Sequence, residues 1–82
     1  METEANSSAD AWLARGAALQ LLGRTTAAIV AFEETIVRGA NTVSESDAHF
    51  GLAAIYTQLG ETENARRHKE MGDLALAEQA LP

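Results

Sequence analysis

Glu45 and His49 stand four residues apart, and a second histidine lies in the run Arg66-Arg67-His68-Lys69. On a helix a spacing of four places two side chains on one face, so Glu45 and His49 have the geometry of two ligands for one metal ion. Two ligands do not close a site, and the chain has no cysteine to add a third. His49 is therefore expected as a packed structural histidine. His68 has cationic neighbours that repel a metal ion, and it is expected on a solvated charged face. The basic run itself is read as neutralised by Glu63, Glu70 and Asp73 on the same helix. No serine–histidine–acid pattern and no glycine-rich phosphate loop is present. The expectation is a non-enzyme with no metal and no cofactor.

Composition narrows the remaining classes. At 82 residues the chain makes one small domain, burying about 60–65% of the surface that its unfolded form exposes. An apolar fraction of 46% suits a packed core rather than a disordered chain. The net charge of −6 opposes phosphate backbones and anionic membrane surfaces, so neither nucleic acid nor a membrane is expected as a partner. The opening "METEANSSAD" has no basic and apolar segments of a signal peptide, and the longest apolar runs are too short to span a bilayer. A cytoplasmic location follows as the expectation.

The elements that must position any site are helical. No strand-length alternation occurs, and the one proline is residue 82. Ser7, with Asp10 three residues on, is placed to cap a first helix, along which Trp12, Gly16 and Leu19 share a face, with Leu22 closing it. Gly23 can end it with a positive φ. Thr25 or Thr26 opens a second helix with an inner face of Ala28, Ile29, Phe32 and Ile36, ended by Gly39. After a loop, Ser44 and Asp47 repeat the capping spacing and open a third helix, whose apolar contacts are Phe50, Leu52, Ala53, Ile55, Tyr56 and Leu59. Gly60 stops that helix. A fourth runs from about Thr62 to about Ala80, carrying Glu63–Arg67 and Lys69–Asp73 at ion-pair spacing, each worth about 0.2–0.5 kcal/mol. Gly72 weakens it by about 1 kcal/mol relative to alanine, and continuity through Gly72 is favoured over a break.

The chain also writes one pattern twice. Laying Gly60 on Gly23 shifts the sequence by 37 residues (60 − 23) and brings His49 onto Trp12, Ala53 onto Gly16, Tyr56 onto Leu19 and Ala65 onto Ala28. The small residues let antiparallel helices approach, and the large ones fill the space between them. This succession resembles the tetratricopeptide repeat family, whose unit is a helix–turn–helix of about 34 residues. Lys69, where the family packs a large aromatic, and the missing proline after each second helix depart from its pattern. The resemblance implies an all-α fold: two stacked helix-turn-helix hairpins, a fragment of a right-handed solenoid, with an extended carboxy-terminal capping helix. Its divisions would be a polar tail over 1–8, repeat one over 9–39, a loop over 40–45, repeat two over 46–75 and an extension over 76–82.

The same resemblance implies a concave groove lined by the first helix of each repeat. Its residues here would be Leu13, Ala17, Gln20 and Leu21, facing Phe50, Ala54, Thr57 and Gln58, with Asp10 and Asp47 at a rim. The family's lysine–asparagine clamp for a terminal carboxylate is not found at Leu13 and Ala17. The leading expectation is thus a scaffold or adaptor that holds a protein or peptide segment in the groove. The alternative is a homo-oligomer assembled through Leu74, Leu76 and Leu81. A helix-turn-helix nucleic-acid binder is disfavoured by the acidic balance.

Overall fold

The computed structural model describes residues 8–80. Every regular element among them is a helix: α1 (Ala9–Leu21), α2 (Thr25–Arg38), α3 (Val43–Gln58) and α4 (Thr62–Ala80). α1 packs against α2 and α3 against α4, making two hairpins. α3 joins them by packing on both α1 and α2, whereas α4, among the described helices, packs on α3 alone. The body measures 40 × 36 × 16 Å, so little of it lies far from solvent. Its core is correspondingly small: Ala28, Phe32, Ala48, Leu52 and Ile55, with Leu13, Leu19, Ile29, Ile36 and Tyr56 packed around them.

The repeated sequence corresponds to a repeated turn. Gly23 and Gly60 take φ of 78° and 77°, a left-handed conformation that costs glycine nothing. Around each the same two hydrogen bonds close the helix end. Arg24 donates to the Leu19 carbonyl at 2.9 Å and Gly23 to Gln20 at 3.1 Å; Glu61 donates to Tyr56 at 2.8 Å and Gly60 to Thr57 at 3.1 Å. This is the Schellman closure, built twice 37 residues apart.

The helix starts differ from the expected caps. Ser7 lies outside the described residues, and Ser8 is the cap of α1, its Oγ accepting from the Ala11 N–H at 3.1 Å. α2 begins at Thr25, so neither Thr25 nor Thr26 caps it; Arg24 precedes it without a side-chain cap bond. The 40–45 loop is shorter than expected, because α3 already starts at Val43 after Thr42. Ser44 is thus inside the helix, where its hydroxyl donates to the Asp10 carboxylate of α1. A tertiary hydrogen bond has claimed the side chain that the capping pattern assigned locally. Gly39 ends α2 with φ −114°, and the left-handed residue of that turn is Asn41 at φ 68°.

α4 is continuous through Gly72. The reason lies on α3: a Cβ at residue 72 would stand 2.8 Å from the Phe50 ring, so the glycine that weakens the helix lets the ring approach its backbone. Beyond Ala75 the helix runs straight on along α3, and Gln79 donates to the Asn41 carbonyl at 2.6 Å. The carboxy-terminal extension expected over 76–82 is, as far as Ala80, the last part of this one helix. Arg66, rather than Arg67, pairs with Glu63, through two contacts of 2.5 and 2.8 Å. Lys69 and Asp73 do pair, at 3.3 Å.

At the centre, the Phe32 ring is held between two glycines on different helices. A Cβ added to Gly16 of α1 would lie 2.8 Å from its Cδ1 and Cε1, and one on Gly51 of α3 would lie 2.7 Å from its Cζ. The sequence pattern pairs Gly16 with Ala53, which is only half-buried. Gly51 is the residue that completes the slot, and the overlay of copies does not mark it.

Candidate functional site

The eight residues expected to line the groove are divided by the structure into two groups. Ala17, Leu21, Ala54, Thr57 and Gln58 are exposed, with Leu21 89% accessible. Leu13, Gln20 and Phe50 are half-buried. Leu13 belongs to the packing around the core, and Phe50 is turned to Gly72 of α4. Both therefore hold helices together as well as lying on the expected lining. Thr57 directs its hydroxyl to the Ala53 carbonyl of its own helix at 2.8 Å. Of the rim residues, Asp10 is engaged by Ser44 and Asp47 is exposed.

At one end of the same helix pair, Ser8, Ala9 and Asp10 of α1 meet Arg38 and Gly39 of α2 and Thr42, Val43 and Ser44 of α3 around a cleft of about 360 Å³. Gly39 permits this junction, since a Cβ there would stand 2.6 Å from that of Ala9. Beside it Trp12 lies under two guanidinium groups, Arg15 at 4.5 Å and Arg38 at 5.6 Å from the ring centroid. Such stacking is worth about 0.5–1 kcal/mol at exposed positions.

The second cluster gathers His49, His68 and Tyr56 between α3 and α4. His49 is buried, as expected, but His68 is not on a solvated face. Its ring stacks between His49 and Tyr56, with centroids 5.2 and 5.6 Å away and ring planes inclined by 29° and 14°. The Nδ1 atoms of the two histidines are 3.0 Å apart, so one must carry the hydrogen and the other accept it. His49 Nε2 is buried and 3.4 Å from a Glu45 carboxylate oxygen, near enough for attraction but without hydrogen-bond alignment. Burial, then His49, then Arg67 lower the pKa of His68 below that of a free imidazole. Burial, followed by Glu33 and Glu61, raises that of the Tyr56 phenol. The signal that could have located His68 is register: at the 37-residue shift it falls on Ala31, which is buried on the inner face of α2.

Glu45 and His68 approach His49 from opposite ring nitrogens, so the three do not converge on a point. Among the described residues no group of three or more histidine, cysteine, aspartate or glutamate side chains can hold a metal ion. No described helix is long and apolar enough to cross a membrane. Of the residues proposed for self-association, Leu74 is 65% and Leu76 48% accessible, and Leu81 lies outside the described residues. No family model, no curated protein and no solved structure matches the chain.

Proposed function

We propose that the chain is a non-enzymatic interaction module of the tetratricopeptide type, which binds an apolar segment of a protein partner across α1 and α3. The observation that carries this reading is Leu21, almost wholly exposed at the end of α1, on the expected lining with exposed Ala17 and Ala54. Short side chains leave room for a partner's larger ones, and burial of apolar surface returns about 25 cal/mol per Å² before ordering costs. The contact order α1–α2, α2–α3, α1–α3, α3–α4 is the one that stacked hairpins need. The outer side of α4 bears the Lys69–Asp73 pair where the first copy bears Phe32 and Ile36, and a polar outer face suits the end of a stack.

Peptides selected from a displayed library against the folded chain test this reading. They are expected to be apolar, and Ala17→Glu with Leu21→Asp is expected to weaken them at least about tenfold, the equivalent of about 1.4 kcal/mol. Helix content should be unchanged, because both positions face solvent. Equal binding to the double variant would end the proposal. Phe50 is unsuitable for this test, since its replacement also disturbs the contact with Gly72.

A second reading, self-association through the end of α4, is favoured by the exposure of Leu74 and Leu76 with Met71 at 40%. It predicts a concentration-dependent dimer in sedimentation equilibrium that Leu74→Lys with Leu76→Lys converts to a monomer. A wild-type chain that is monomeric at hundreds of micromolar removes this reading.

A further inference from the structure

We propose that the His49–His68 pair is an acid-operated latch between α3 and α4, closed while the two imidazoles share a proton and opened when both become charged. The geometry sets the limit. With Nδ1 facing Nδ1 at 3.0 Å, the closed pair has room for one hydrogen on that line. The Glu45 carboxylate, 3.4 Å from His49 Nε2, favours a hydrogen on that nitrogen, which leaves His49 Nδ1 bare to accept from His68 Nδ1–H. A first added proton can sit on the outer nitrogen of His68. A second must go to His49 Nδ1, where it sets two N–H donors head to head within a stack closed by Tyr56.

Other charges do not relieve this. On α4, Arg67 adds positive charge beside His68. On α3, Glu45 attracts a charged His49 from the far side, opposing opening without removing the clash. From α2 and the second turn, Glu33 and Glu61 act on Tyr56. On the α1 side Asp10 is bound to Ser44, next to Glu45. The latch acts on α4 because that helix packs on no other described helix than α3. Its release also frees Phe50 from Gly72.

The sign follows from proton linkage. An imidazole outside such a stack has the ordinary value of about 6.5, whereas the closed pair, with room for one hydrogen between its facing nitrogens, binds fewer protons. Closure is thus at full strength above that pH and weakens as the pH falls below it. Each excluded proton shifts the open-to-closed ratio by about tenfold per pH unit.

Amide hydrogen exchange of the full chain at pH 7.5 and 5.5, corrected for intrinsic rates, reads this directly. Protection in α4 is expected to fall about tenfold or more beyond any change in α2. His68→Phe, which keeps a ring in the stack and cannot titrate, should make the loss in α4 match that in α2. An imidazole NMR titration of the unaltered chain decides the matter should that variant fail to fold. Coupled titration with at least one ring below 6.5 supports the latch. Two independent titrations at the ordinary value, or α4 protection that follows α2 at both pH values, overturns it.

Discussion

Phe32→Ala is expected to cost about 3–5 kcal/mol, the usual range for removing a buried aromatic ring. A domain of this length has about 4–12 kcal/mol in total, so the variant should lose most of its cooperative urea transition. The effect is large because the ring serves three helices at once: it belongs to α2 and fills the slot made by Gly16 of α1 and Gly51 of α3. Only 2% of Phe32 is accessible, and among the described residues the other large members of the buried core cluster are Leu52 and Ile55. A loss below about 1 kcal/mol would show that the ring does not hold the hairpins together.

Gly51→Leu should be comparably damaging, although it replaces a poor helix former with a good one. At an exposed position, replacing glycine in a helix gains nearly 1 kcal/mol. Here a Cβ alone would stand 2.7 Å from the Phe32 Cζ, well inside the 3.5–4.0 Å at which carbon atoms pack. Phe32 has little room to move, because Gly16 of α1 is packed as closely against the same ring. Overpacking of this kind costs about 1–3 kcal/mol, occasionally more, and leucine adds three carbons beyond the Cβ. Gly72→Ala is the control. Its Cβ would meet the Phe50 ring at 2.8 Å, but Phe50 is half-buried and can swing outward, so a much smaller change is expected. Denaturation midpoints of the two variants check the contrast, and Phe32→Leu combined with Gly51→Leu should recover part of the loss. An unchanged midpoint for Gly51→Leu would contradict the slot.

Helix content and the two glycine turns follow from residue type and spacing, whereas for α4 the sequence only favours continuity over a break at Gly72. Gly23 and Gly60 signal a left-handed backbone by themselves, and Ala28, Phe32 and Leu52 follow helical periodicity into the core. Features that depend on contacts between helices were hidden. Ser44 looked like a cap, but its partner, Asp10, is 34 residues away. Gly51 has no conformational signature, since its role is only to admit a ring from α2. His68 resembled its charged neighbours in sequence, yet one position of helical rotation turns it inward to His49 and Tyr56. Of the residues expected to line the groove, Ala17, Leu21 and Ala54 are apolar and exposed. The dual duty of Phe50 was not legible, because it requires knowing what α4 places opposite.

The central claim, a protein partner held across α1 and α3, is tested most directly by an amide NMR titration of the chain with a selected apolar peptide. Shifts are expected to be confined to Leu13, Ala17, Gln20 and Leu21 on α1 and to Ala54, Thr57 and Gln58 on α3, with α2 unchanged. Shifts centred instead on Leu74 and Leu76 of α4, or spread evenly over the four helices, would contradict it.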